Sequence, residues 1–225
     1  MVIDEDTNIY VGTSIIKKVY QGDEQIYSAY PYIPLLYIRS DHQQYIDTGV
    51  PCNQLGRIIT KFKINQIRTY NWAMGGSGST SGARSDSLGI GLSTAEANNG
   101  FCYSNNIFNY SFAAGNTYDI SYTFKAGQQN IVINNSSYSS NMWGNITNAN
   151  LYLFAHDYYN WSKPGERSGI DLYETILYGV DQTTPIRDFI PVIEKETGVV
   201  CLYDKITQQF YYNLGTGSFI AGPEI

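Results

Sequence analysis

Two acidic residues stand three apart in Gly169-Ile170-Asp171-Leu172-Tyr173-Glu174. Paired carboxylates are what glycoside hydrolysis requires, one as acid and one as nucleophile or base, so this is the first place to look for catalysis. His156-Asp157 with Ser162 close behind invites a nucleophilic triad. Adjacent residues in a strand point to opposite faces, however, so Asp157 is badly placed to orient His156. There is no Gly-x-Ser-x-Gly elbow. The glycine-rich stretch Gly75–Gly82 lacks the Lys-Ser/Thr and the helix that a phosphate loop needs. No catalytic residue is assigned.

The aromatic residues offer binding chemistry. Trp72, Trp143 and Trp161 each sit among Asn, Gly and Ser. His156-Asp157-Tyr158-Tyr159-Asn160-Trp161 mixes stackable rings with short polar side chains. Such a mixture binds a sugar by ring stacking and hydroxyl hydrogen bonds. It also serves protein interfaces, and rings of this kind cap the ends of cores. All three readings stay open. Asp41, Asp47, Asp157 and Asp204 are available to a structural calcium ion, but no Asp-x-Asp-x-Asp run names a ligand set. Cys52, Cys102 and Cys201 show no metal or disulfide spacing and read as buried free thiols; no metal or cofactor is expected.

The elements that must carry these residues are strands. The 225 residues include 21 Tyr and 21 Gly, with 15% charged. That composition suits many short strands joined by turns. Tyr118, Ile120, Tyr122 and Phe124 alternate with polar residues, the period of a half-buried strand. Residues 57–64, 131–134, 151–155 and 169–180 read as further strands, the last sending Ile170, Leu172, Ile176 and Tyr178 to the core. Gly75–Gly82 reads as a flexible loop by composition. The expected fold is all-β, a two-sheet jelly-roll sandwich over residues 35–225. Before it, Tyr10, Gly12 and Ile16 recur as Tyr20, Gly22 and Ile26, so residues 1–29 read as a β-hairpin meander. It is too small to stand alone and is either an attachment arm or an extra sheet edge. The prolines of residues 30–34 mark a linker.

Formal net charge is −6, which argues against nucleic-acid binding. No apolar run is long enough to span a membrane, and the acidic start shows no secretory signal.

Two phrases carry a resemblance. The first is Leu36-Tyr37-Ile38-Arg39-Ser40 running into Gln44-Tyr45-Ile46-Asp47-Thr48-Gly49. The second runs from Arg187-Asp188-Phe189-Ile190-Pro191-Val192 through Cys201-Leu202-Tyr203-Asp204 to Gly215-Thr216-Gly217-Ser218-Phe219. Together they resemble the concanavalin A-like (LamG-type) domains of bacteriophage tail, head-fibre and capsid-surface proteins. The resemblance implies a non-enzymatic virion protein, made in the host cytoplasm. It would dock on other virion proteins through its arm, form a homo-oligomer such as a trimer, and display the sandwich toward a host-surface glycan. In the laminarinase-like hydrolases of this fold the carboxylates follow Glu-x-Asp-x-x-Glu; Asp171 and Glu174 match the last two positions, and Gly169 stands at the first. The alternative is a bacterial carbohydrate-binding or glycan-degrading module.

Overall fold

The computed structural model describes residues 9–11, 14–16, 18–21, 24–28, 30–68, 71–78, 87–93, 100–103, 106–125, 127–141, 146–156, 165 and 167–225. Among them there is no α-helix, and the strands number 21. The first four are β1 (Ile9–Val11), β2 (Ser14–Ile16), β3 (Lys18–Gln21) and β4 (Glu24–Ser28). Then come β5 (Tyr32–Pro34), β6 (Ile38–Arg39), β7 (Ile46–Pro51), β8 (Leu55–Gln66), β9 (Asn71–Ser77), β10 (Ser87–Ser93), β11 (Gly100–Tyr103) and β12 (Asn106–Asn109). The remainder are β13 (Thr117–Lys125), β14 (Gln128–Ile133), β15 (Ser136–Asn141), β16 (Asn150–Leu153), β17 (Gly169–Gly179), β18 (Pro185–Glu194), β19 (Val200–Asp204), β20 (Gln209–Tyr211) and β21 (Ile220–Ala221).

Two antiparallel sheets form a sandwich. One runs β12-β11-β10-β9-β16-β7. The other runs β15-β14-β13-β8-β17-β18-β19-β20, with β5, β6 and β21 joined along it. A single apolar cluster fills the space between them. Ile46, Met74, Leu88, Ile90, Leu151 and Leu153 come from the smaller sheet, and Ile58, Phe62, Ile64, Ile120, Tyr122, Ile170 and Leu172 from the larger. Phe62 has no exposed surface and lies against the Phe112 and Tyr118 rings. Truncating such a residue to Ala typically costs about 3–5 kcal/mol. The alternation read at residues 118–124 holds: Tyr118, Ile120, Tyr122 and Phe124 are all buried.

Three local expectations change. First, Ile176 and Tyr178 are half-buried and lie away from the core side of β17, where Thr175 and Leu177 are buried. The pairing with β8 shifts between Leu172 and Glu174, so Tyr173 is an extra residue that inverts the alternation beyond it. Second, Gly75 and Gly76 lie inside β9, whose seven residues are all buried. Their backbone pairs with β10, and small residues are needed there for close packing. Third, the Pro-containing stretch expected as a linker contains β5, with Pro34 opposite Val192 and Ile33 opposite Ile193. This is a short strand, where proline is tolerated.

Near the N-terminus, β1 pairs with β2 and β3 with β4. The sequence repeat maps onto these hairpins: Tyr10 and Tyr20 lie on the first strand of each, Ile16 and Ile26 on the second. Gly12 and Gly22 lie outside the described residues. Among the described residues no strand pairing joins either hairpin to the two large sheets.

The two phrases that carry the family resemblance meet in space. Ile38 and Arg39 pair with Ala221 and Ile220. The Leu214 amide donates to the Tyr45 carbonyl at 2.9 Å, and the Gln44 side-chain amide donates to the Thr216 and Ser218 carbonyls. The closing segment thus braces the segment that enters β7.

Candidate functional site

Of the two carboxylates on β17, Asp171 is tied up in structure. Asp171 is 1% exposed. One of its oxygens accepts from Arg39 Nε at 2.6 Å and from Asn65 Nδ2 at 2.6 Å; the other accepts from Arg39 Nη2 at 3.0 Å. The ion pair raises the Arg39 pKa further above its ordinary value, chiefly through the hydrogen bond to Asp171. Glu174 is exposed and sits across from Lys61. The Tyr173 bulge places both acids on the same, outward face, opposite Lys63 and Lys61. At the position of the missing Glu, a Cβ on Gly169 would lie 2.6 Å from His42 Nε2 and 3.1 Å from two ring carbons. The His42 ring occupies the space that a side chain at 169 would need. Its Nδ1 lies 3.1 Å from the Arg167 carbonyl.

The outward face of the smaller sheet is built differently. Burial along β7 alternates: Ile46, Thr48 and Val50 face the core, and Asp47 looks out half-buried. On β16, Leu151 and Leu153 go in while Asn150 and Tyr152 look out half-buried. Tyr152 pairs directly with Asp47. Asn150 Nδ2 donates to both Asp47 oxygens at 3.0 and 3.1 Å, and the Gly49 amide donates to Asp47 Oδ1 at 2.8 Å. Tyr45, just before β7, meets the Tyr152 ring edge-on at 6.0 Å. The Arg167 guanidinium lies over the other side of this group, 5.0 Å from the Tyr45 ring centre, with Nη1 donating to the Gln43 carbonyl at 2.8 Å. Carboxylate, amide, guanidinium and phenol rings therefore converge on one face.

Trp72 and His156 lie beside this group. In β9, Met74 faces Ile90 but Trp72 faces Gly91, so Ala73 is an extra residue and Trp72 turns to the outward face. The Trp72 and His156 rings stack at 4.1 Å with 21° between their planes. The imidazole rests on Gly75, where a Cβ would meet His156 Cδ2 at 2.4 Å. Phe154 adopts a left-handed backbone, φ 66°, which is unfavourable for a bulky residue and turns the chain from β16 across β9. A bridge pairs His156 with Gly165, and a second sets Arg167 beside Trp72. Trp72 is 5% exposed and His156 1%, so this stacked pair presents no open stacking face. Trp72, read as a possible ligand contact among Asn, Gly and Ser residues, lies in β9. Asp157, Tyr158, Tyr159 and Trp161, with Trp143, lie outside the described residues.

Sequence reasoning passed over Tyr45, Asn150, Tyr152 and Arg167. The signal was present as Tyr45-x-Asp47 and Asn150-x-Tyr152, two pairs that strand alternation must put on one face each. That the two faces coincide depends on β7 pairing with β16, over a hundred residues away. Asp204, one of the acids considered for calcium, instead accepts the Asp188, Ile206 and Thr207 amides and binds Arg187. Among the described residues, no group of three or more His, Cys, Asp and Glu is arranged to hold a metal ion. Cys52 and Cys201 are free and buried, and burial raises both thiol pKa values, that of Cys201 to about 12.

No family model matches the chain, and no curated protein matches it in sequence. Among solved structures, a candidate carbohydrate-binding protein from Bacteroides ovatus superposes with a TM-score of 0.54 at 12% identity. The match covers 86% of this chain and 62% of that one, so this chain spans less than two thirds of that structure's length. Domain 4 of AbnA, a GH43 extracellular arabinanase from Geobacillus stearothermophilus solved with arabinotriose, gives a TM-score of 0.41 at 18% identity, covering 61% of this chain and 68% of that one. The first likeness is one of fold, and it agrees with the two-sheet β-sandwich described above.

Proposed function

We propose that this chain is a carbohydrate-binding β-sandwich module whose ligand face is formed by Asp47, Asn150, Tyr152 and Arg167, with the buried Tyr45 packed against the Tyr152 ring. The observation that carries the reading is the half-buried Asp47–Asn150 pair directly beside the Tyr152 ring. A phenol ring stacks on the apolar face of a sugar, and a braced carboxylate and amide offer hydrogen bonds to its hydroxyls. The pair is held by strand backbone and by its own hydrogen bonds, so little ordering cost remains for binding. The sandwich shared with a candidate carbohydrate-binding protein is compatible with this role. Catalysis is not part of the proposal, because Asp171 is committed to Arg39 and Asn65 and Gly169 has no room for a carboxylate. The test is an array of neutral plant and bacterial polysaccharides probed with the wild-type chain and with Tyr152→Ala. Binding that the variant loses supports the reading. Absence of any hit, or hits indifferent to Tyr152, sinks it.

A second reading keeps the virion role, with the module displayed on a particle and docked through residues 1–29. The N-terminal hairpins pair only within themselves among the described residues, which favours a docking arm over an extra sheet edge. Deleting residues 1–29 should then leave a folded sandwich that no longer enters particles.

A further inference from the structure

A cleft of about 340 Å³ opens at the far end of the larger sheet, between the turn before β19 and the loop after β20. We propose that it is a second saccharide subsite, taking one neutral sugar unit stacked on Tyr212. Tyr212, 42% exposed as a residue, lines the cleft together with the less exposed Val200 and Phe219. The Tyr212 hydroxyl is pulled away from the cleft, donating to Glu194 Oε1 at 2.9 Å, which fixes the ring plane. The other Glu194 oxygen accepts from the Thr197 hydroxyl, so this 8%-exposed carboxylate is committed on both sides.

Much of the remaining lining is backbone: Gly198 on the turn before β19 and Gly215 and Gly217 on the loop after β20 add no side chains. The loop is stiff. Asn213 Oδ1 accepts the Gly215 amide at 2.7 Å and the Tyr45 amide at 3.2 Å, while Asn213 Nδ2 donates to the Gly217 carbonyl at 2.9 Å. Not one lining residue is charged. A ring face, main-chain polar groups, the Ser218 hydroxyl and the absence of a counter-charge suit a hydroxylated, uncharged ring. The volume lies at the low end of the usual range for small-molecule sites, roughly 300–1,000 Å³. The same loop is bonded to Tyr45, whose carbonyl accepts from the Leu214 amide at 2.9 Å.

This subsite rests on the glycan-binding reading above, and the experiment separates the two. Amide shifts of the full chain are followed by NMR while titrating methyl β-glucopyranoside, methyl β-galactopyranoside and methyl α-arabinofuranoside, with glucuronic acid as the charged comparison. Saturable shifts at Gly198, Gly215 and Gly217 are expected with at least one neutral glycoside. Tyr212→Ala should weaken them at least tenfold, while Tyr212→Phe, which keeps the ring, and Tyr152→Ala should leave them in place. No saturable shift at the three glycines, equal affinity in Tyr212→Ala, or response to glucuronic acid alone overturns the inference. Shifts at Asp47 and Asn150 without any at the glycines would leave the proposed ligand face standing and this subsite rejected.

Discussion

Two carboxylates on outward strand faces have opposite fates. Asp171 on β17 is 1% exposed, gripped by Arg39 and Asn65, and the space beside it at Gly169 is filled by the His42 ring. Asp47 on β7 remains half-buried at the surface, braced by one amide side chain and one backbone amide, with a phenol ring alongside. A charge that is fully paired and buried serves the fold. A charge that is held in place yet reachable is free to meet a ligand, as proposed for Asp47.

The largest effect should come from breaking the buried partnership. Asp171→Ala strands Arg39 and Asn65 and is expected to cost about 2–4 kcal/mol in urea unfolding. A loss below about 0.5 kcal/mol would mean the pair adds no more than a typical surface ion pair. Next in size is Gly169→Ala, whose methyl overlaps the His42 ring; the expected cost is about 1–3 kcal/mol. His42→Ala in the same chain should recover most of it, because the two effects share one contact. Independent, additive effects would place the strain elsewhere.

On the exposed side, binding should change and stability should not. Tyr152→Ala is expected to weaken glycan affinity at least tenfold, about 1.4 kcal/mol, with a melting temperature close to that of the parent. Asp47→Ala should act in the same direction. If either variant unfolds the chain while the folded fraction binds normally, the contrast between the two carboxylates collapses.

The smallest effect is alkaline. Tyr32 and Tyr212 both have pKa values raised to about 12 from the ordinary 10, mainly by burial. Tyr30 and Tyr203 add to the shift of Tyr32, and the hydrogen bond to Glu194 adds to that of Tyr212. In the unfolded chain these hydroxyls ionise near pH 10, so the folded state holds its protons more tightly. Their contribution to stability is complete below pH 10 and disappears as pH rises toward 12. Tyrosinate absorbance should show a late phase in the native protein that shrinks in Tyr32→Phe and Tyr212→Phe.

The strands were the most legible part of this chain. The alternation from Tyr118 to Phe124 specifies a half-buried strand without reference to anything else, since the side-chain period is a property of the backbone. The proposed ligand face was less legible. His156–Trp161 is the richest aromatic run, whereas Asp47, Asn150 and Tyr152 are ordinary residues when read singly. Their meaning comes from the register that sets Tyr152 opposite Asp47. A bulge at Ala73, invisible in composition, likewise sets Trp72 on the outward face.

The sequence by itself determined the all-β class, the N-terminal hairpin repeat and the absence of a complete acid pair at Gly169–Glu174. Each of these depends on local period, local turn chemistry or the plain lack of a residue type. Only the tertiary structure decided which outward face stays open. That choice depends on bulges at Ala73 and Tyr173, on Arg39 crossing to Asp171, and on His42 filling the space above Gly169. These are contacts between residues far apart in the chain, and no local pattern encodes which partner will be within reach.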